Sequence, residues 1–162
     1  MTITSTGNIS EGPIGMAGDV VGTGLGPLLT RINGESAVFP MGCMIVEGAT
    51  EGQGVLPVDA NSKPVGISRL NQSYEADELD ANGWYGYPVS QPMAAVTGGL
   101  IYVRLGSDVS KGDPAFWVHT TNGASIKGTF RNDADTSNAV QLASATFEIG
   151  GLAGGVGLLL VK

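Results

Sequence analysis

Residues 99–119 read Gly99-Leu-Ile-Tyr-Val-Arg-Leu-Gly-Ser-Asp-Val-Ser-Lys-Gly-Asp-Pro-Ala-Phe-Trp-Val-His119, with an apolar run on each side of a turn-forming tract. In the first run the odd-numbered residues from 101 to 105 are aliphatic, which is the period of two expected of a half-buried strand. The second run is β-branched and aromatic, as strands are. Lys111-Gly-Asp-Pro114 predicts a turn or short loop between them. We therefore predict two strands that pair at the centre of the fold.

Further short apolar runs, each closed by turn residues, precede this stretch. Strands at such a spacing are typical of a β-sandwich or barrel. The final run, Leu158–Val161, follows a glycine tract and predicts a core strand buried on both faces. The sequence thus predicts an all-β fold, a single small β-barrel or jelly-roll-like sandwich over residues 27–162. The earlier runs are Ala37–Phe39, Met44–Val46, Val55–Val58, Val65–Leu70 and Met93–Val96.

Residues 1–26 are predicted to be an extended N-terminal arm, because they are rich in Gly, Ser and Thr and have few large apolar groups. Such a segment cannot offset its own ordering entropy. We expect it to be mobile in the free protein and to become ordered along a neighbouring subunit or another partner. Its widely spaced apolar groups suit a strand added to the edge of another sheet. These candidate interface residues are Ile3, Ile9, Ile14, Met16, Val20 and Val21.

Charge and cysteine content narrow the function classes. The chain has 162 residues, a net charge of −7 and only eight scattered Lys and Arg, which argues against a nucleic-acid partner. It has no 18-residue apolar stretch and no signal-peptide pattern, so we expect neither a membrane segment nor conventional secretion. The single Cys43 excludes an internal disulfide and suits a chain that stays in a reducing cytoplasm, with a buried side chain as its default environment.

No group of residues predicts catalysis, a cofactor or a metal. His119 is the only histidine, and no nucleophile is spaced to pair with it, so we expect a partly exposed strand histidine. The acidic residues of the loop Asn71–Gly86 match no calcium-loop spacing and are interpreted as a solvated loop. Asp133 and Asp135 predict an Asx-type turn rather than an ion site. We therefore predict that the protein is not an enzyme.

Three aromatic residues at the end of that loop, Trp84, Tyr85 and Tyr87, are candidate interface residues. Large aromatic side chains contribute disproportionately to binding at protein interfaces. The same residues could instead form a stacking platform for a sugar. A β-sandwich carbohydrate-binding or adhesion module is therefore the alternative function to be weighed.

One segment carries a family resemblance: Lys127-Gly-Thr-Phe-Arg-Asn-Asp-Ala-Asp-Thr-Ser-Asn-Ala-Val-Gln-Leu-Ala-Ser-Ala-Thr-Phe147. It follows Gly112-Asp-Pro-Ala-Phe116 and precedes the apolar last strand. In this order the pieces resemble the capsid cement, or decoration, proteins of tailed bacteriophages. The resemblance covers residues 99–162 well and residues 37–162 loosely.

The resemblance implies a β-barrel protein on the outer surface of an icosahedral virion, where it bridges and stabilises subunits of the major capsid protein. It implies no reaction and no cofactor. Short strands leave edges that copies of the chain or the capsid could cover. We therefore also predict a homo-oligomer, either a homotrimer or a homodimer.

Overall fold

A computed structural model describes residues 15–22, 26–71 and 79–162. Its regular elements are strands, together with one 3-10 turn at Asp135–Ser137, so the prediction of an all-β fold is confirmed. Three candidate interface residues, Ile3, Ile9 and Ile14, lie outside the described ranges. The strands are β1 Val20–Val21, β2 Leu28–Asn33, β3 Phe39–Pro40, β4 Met44–Glu47, β5 Gln53–Val55, β6 Pro64–Ser68, β7 Gly86–Tyr87, β8 Pro92–Val96, β9 Gly99–Arg104, β10 Pro114–Val118, β11 Phe130–Arg131, β12 Ala139–Ile149 and β13 Val156–Val161.

The strands form a closed barrel, a six-stranded sheet and a two-stranded ribbon. The barrel has the order β2-β5-β4-β6-β8, and the sheet has the order β1-β9-β13-β12-β10-β11. The ribbon pairs β3 with β7. All pairs in the barrel are antiparallel except β2 with β5, which run parallel over two residues only. The predicted β-barrel is therefore present, with a second sheet attached to it.

The predicted pairing of the two strands in residues 99–119 is wrong. Both strands exist as β9 and β10, but β13 and β12 lie between them in the sheet. The connection between them is too long for a tight hairpin, and its Val109 instead pairs with Gly151 in the β12–β13 turn. β9 pairs along its whole length with β13, whose Leu159 lies opposite Ile101. The last strand of the chain thus occupies the place expected of β10.

One hydrophobic cluster joins the barrel to the sheet. It includes Met44, Ile67 and Val96 of the barrel and Ile101 and Leu159 of the sheet, all of them buried. The prediction of a core strand at the C-terminus is confirmed for its first half, because Leu158 and Leu159 are buried while Leu160 and Val161 are half-buried. The two sheets therefore share apolar packing.

A second cluster fills the barrel and contains Cys43. This thiol has no exposed surface, as the sequence predicts, and lies among Phe39, Ile45 and Met93. Burial raises the pKa of Cys43 to about 12 because a thiolate would lose its hydration there. Cys43 is thus a packing residue and not a poised nucleophile.

Part of the predicted arm lies on the protein's own sheet. Val20 and Val21 pair with Ile101 and Leu100 at the edge of β9. Gly18 donates to the carbonyl of Tyr102 at 2.7 Å. These are backbone hydrogen bonds, which need no large apolar side chains, and composition alone gave no sign of them. Over residues 15–22 the structure therefore differs from the expectation of a segment without contacts in its own chain.

The predicted strand at Val55–Val58 is also largely wrong. Only Val55 belongs to β5, and Val58 is exposed. Pro57 has no N–H group to donate to a neighbouring strand, so the ladder ends before it.

Among the described residues, no helix has the length and apolar character needed to cross a membrane.

Candidate interaction surface

Trp84 is held against the barrel by a cation. The guanidinium carbon of Arg104 lies 4.3 Å from the centroid of the Trp84 ring. Arg104 Nε donates to the carbonyl of Met41 at 3.0 Å, and burial lowers the pKa of Arg104 without removing its charge at neutral pH. On the loop side, the backbone N–H of Trp84 donates to Asp80 Oδ1 at 2.9 Å. Trp84 is half-buried, so one part of its ring packs internally and another part faces outward.

Tyr85 points into solvent and is the most accessible of the three aromatic residues, with 40% of its surface exposed. Its carbonyl accepts from the Met41 N–H at 3.0 Å, which anchors the backbone while the side chain remains outside. Leu79 pairs with Tyr85 through an isolated bridge and is equally exposed. An aromatic and an aliphatic side chain therefore stand together beside Trp84. Trp84, Tyr85 and Leu79 are called the aromatic loop below.

Tyr87 is a core residue, which corrects its placement among exposed interface residues. It is 1% exposed and lies on β7, opposite Phe39 of β3. Its hydroxyl donates to the carbonyl of Arg69 at 2.5 Å. Because the ribbon of β3 and β7 covers the barrel core, the Tyr87 ring packs into that core. The three aromatics cannot form one sugar-stacking platform, and this removes the feature that favoured a carbohydrate-binding module.

The described residues of the arm are accessible but scattered. Met16 and Val21 are exposed, whereas Val20 is half-buried beside β9. Within the described part of the arm, residues 15–22 form no hydrogen bond or bridge with the aromatic loop.

Sequence reasoning missed β2, which carries more exposed apolar surface than the described arm. Leu28, Leu29 and Ile32 of this strand are all exposed. The run Leu28-Leu-Thr-Arg-Ile-Asn33 has enough β-branched and aliphatic residues to predict a strand. The exposure of the β2 side chains could not be predicted from the residues of β2 alone, because it depends on which strands close the barrel.

His119 is buried rather than partly exposed, which corrects the expectation for this residue. It follows directly after β10, and its Nδ1 lies 2.9 Å from Thr120 Oγ1. Its ring meets that of Trp117 edge to face, with centroids 6.1 Å apart. Nε2 has no hydrogen-bond partner among the described residues. Cys43 lies in a different cluster, so the structure brings no nucleophilic cysteine to this histidine.

The Asx-type turn predicted at Asp133 and Asp135 is confirmed. The Asp135 N–H donates to Asp133 Oδ1 at 3.1 Å. Arg131 contacts both carboxylates, with Nε 2.7 Å from Asp133 Oδ1 and Nη1 3.1 Å from Asp135 Oδ2. The hydrogen bond from Arg131 holds the pKa of Asp133 below its usual value. Within the described ranges, no group of three or more His, Cys, Asp or Glu residues is placed to hold a metal ion.

A comparison with protein families identifies the class of this chain. A family model described as a structural cement protein (E217 gp24/Pam3 gp6) matches residues 3–161. The chain belongs to this structural cement protein family. This cement protein is therefore a structural protein of a bacteriophage, and the family suggested by the resemblance in residues 99–162 is confirmed.

Solved structures give the same result for the fold. Five chains match the cement protein. One of them comes from a structure described as "The capsid of Myoviridae Phage XM1", with 18% sequence identity and a TM-score of 0.69 over 90% of this chain and 88% of that chain. A comparison with curated proteins gives no match.

Proposed function

We propose that this protein binds the outer surface of an icosahedral bacteriophage capsid and stabilises it by bridging neighbouring subunits of the major capsid protein. The family match over residues 3–161 carries this proposal, because it includes both sheets and most of the arm. The protein is made in the cytoplasm of the bacterial host and acts by binding alone.

The distribution of exposed apolar residues supports a bridging role. Val156 pairs with Arg104 at one end of the β9–β13 ladder, and the turn carrying Leu152 lies beyond it. At the other end of β9, Gly26 donates to Gly98, and Leu28 of β2 follows. Leu152 is 73% exposed and Leu28 is 46% exposed. Apolar contacts are thus available at two ends of the molecule, which suits a protein that touches more than one subunit.

Co-sedimentation with purified capsid shells tests the proposal. Shells lacking the protein should bind it at saturable sites, and bound shells should withstand higher temperature before they release their contents. Binding of a ligand to the assembled state stabilises that state by mass action. Saturable binding without a gain in shell stability would contradict the cementing role. Absence of binding to any shell of the phage that encodes the protein would contradict the proposal as a whole.

The aromatic loop is proposed to contact the capsid. Tyr85→Ala should weaken shell binding by about tenfold or more, since exposed aromatics at interface centres contribute about 2 kcal/mol. Its melting temperature should stay nearly unchanged, because the side chain is exposed. Trp84→Ala should weaken binding and also lower the melting temperature, since it removes the stack on Arg104.

Sedimentation titrations and thermal melts of the same samples separate these effects. Val58→Ala is the matched control, because Val58 is an exposed apolar residue outside the aromatic loop. If Tyr85→Ala binds shells as the unaltered protein does, the aromatic loop is not part of the capsid interface.

The N-terminal arm is proposed to lie along a neighbouring subunit. A chain that starts at Gly15 should keep its melting temperature, since β1 and its bonds to β9 remain, and should bind shells more weakly. A chain that starts at Pro27 also loses β1 and should melt somewhat lower. Thermal melts and shell titrations of both chains test this. Full shell affinity in the chain that starts at Gly15 would refute a role for residues 1–14.

A further inference from the structure

β2 has an open edge over its first half. On one side it pairs with β8 along five residues, from Leu28 opposite Val96 to Ile32 opposite Pro92. On the other side it pairs with β5 only at Ile32 and Asn33. In the part of the chain that the structure describes, no strand pairs with Leu28–Thr30 on that second side. We call Leu28–Thr30 the open edge.

The backbone of the open edge has groups available for pairing. Asn33 donates to Gln91 on the β8 side, whereas Ile32 donates to Gly52 on the β5 side. Successive residues of a strand direct their N–H and C=O groups to opposite sides. Leu28 and Thr30 lie four and two residues before Ile32, so their N–H and C=O groups also point away from β8. Two N–H groups and two carbonyls face outward at this edge, and the Thr30 carbonyl also accepts from Arg31 Nη1 at 3.0 Å.

The open edge is also apolar and free of charge. Residues 20–30 contain no Asp, Glu, Lys or Arg. The next charge, Arg31, is paired with Glu47 through bonds of 2.6 and 3.2 Å. Leu28 and Leu29 are 46% and 37% exposed. A chain of net charge −7 repels its own copies, so a contact between copies is favoured where the surface is neutral. The open edge is such a surface, and it lacks the charged residues that protect most exposed edges.

We propose that the open edge pairs with the open edge of a second copy of this chain, antiparallel and across a two-fold axis at Leu29. In this register Leu28 of each copy lies opposite Thr30 of the other. The outward N–H and C=O groups of these residues then form four hydrogen bonds, in which each Thr30 carbonyl uses its second lone pair because it already accepts from Arg31 Nη1. Leu29 lies opposite Leu29 of the second copy, in the non-hydrogen-bonded position where side chains are closest. The contact is self-complementary and closes with two copies, which selects the dimer over the trimer.

This dimer does not require a capsid. It can be measured on the purified full-length chain, so its failure and the failure of the capsid proposal are separate results. The expected solution state is a dimer at tens of micromolar, measured by sedimentation equilibrium.

Charge substitutions at Leu29 test the register. Leu29→Lys and Leu29→Glu each place like charges opposite one another at the axis and should weaken dimerisation by at least about tenfold. An equimolar mixture of the two variants should restore dimers, because opposite charges then face each other. The same two substitutions at Leu152, an exposed leucine remote from the edge, are the control and should leave dimerisation unchanged. Thermal melts of every variant verify that the fold is intact.

Three results would overturn the proposal. One is a chain that is monomeric at the highest soluble concentration. Another is unchanged dimerisation in both Leu29 variants. The third is a mixture of folded Leu29 variants that stays monomeric, which would place the contact elsewhere. If the unaltered chain is monomeric and the Leu29 variants lose only shell binding, the open edge is covered by a capsid subunit and not by a second copy.

Discussion

A chain that lacks its last five residues, Leu158–Lys162, is expected not to fold. These residues form most of β13, which lies between β9 and β12 in the six-stranded sheet. Leu158 and Leu159 are buried, and each fully buried leucine contributes about 1.5–3 kcal/mol. The truncation also removes most of the strand that joins β9 to β12, so that, of the described strands, β9 would keep only β1 as a partner and β12 only β10. Because a domain is stable by only about 5–15 kcal/mol in total, the combined loss is sufficient to unfold it.

Circular dichroism and limited proteolysis of the truncated chain measure this effect. A chain lacking only Lys162 is the control, because this residue is exposed and lies after β13. The control should melt close to the full chain. A cooperative melt of the truncated chain within a few degrees of the full chain would show that β13 is dispensable, contrary to its position in the sheet.

Phe147→Ala is expected to destabilise the protein by about 3–5 kcal/mol, the usual cost of removing a buried phenylalanine ring. Phe147 lies on β12 opposite Leu159, has no exposed surface and belongs to the cluster shared by the barrel and the sheet. Removing the ring leaves a cavity between the two sheets. The melting temperature should fall by about 10 °C, given about 2–4 °C per kcal/mol for a chain of this size.

Phe116→Ala is the matched control for this substitution. Phe116 is a half-buried residue of β10 outside the buried clusters, so the same chemical change should cost less than half as much. Chemical denaturation of both variants gives the two free energies of unfolding. Equal losses would indicate that the cluster around Phe147 is no more important to stability than the periphery of the sheet.

The sequence predicts the positions of several strands, but it does not predict which strands pair with each other in the sheets. The apolar runs at Met44–Val46, Met93–Val96 and Leu158–Val161 each coincide with a strand, because alternation and β-branched content depend on local residues only. Pairing depends on which edges meet in space. A loop as long as residues 105–113 can cross two strands, so the adjacency of β9 and β10 in sequence did not determine their order in the sheet.

Only part of the candidate surface could be predicted from the sequence, because exposure also depends on which elements meet in space. Tyr85 is exposed as expected, while Tyr87, two residues later, is buried because β7 pairs with β3 over the barrel core. His119 is buried because β12 and the loop at Asn138 cover the end of β10, and the His119 N–H donates to the Asn138 carbonyl at 2.9 Å. The exposure of Leu28 follows from the short contact between β2 and β5. None of these tertiary contacts has a signature in the residues themselves.

The location of the protein on the virion tests the account most directly. Electron cryomicroscopy of the mature particle, compared with a particle assembled without this protein, should reveal an additional density outside the shell. The account predicts that the barrel and the six-stranded sheet fit this density and contact at least two subunits of the major capsid protein. Density for this protein inside the shell, in the tail, or against a single capsid subunit would contradict it.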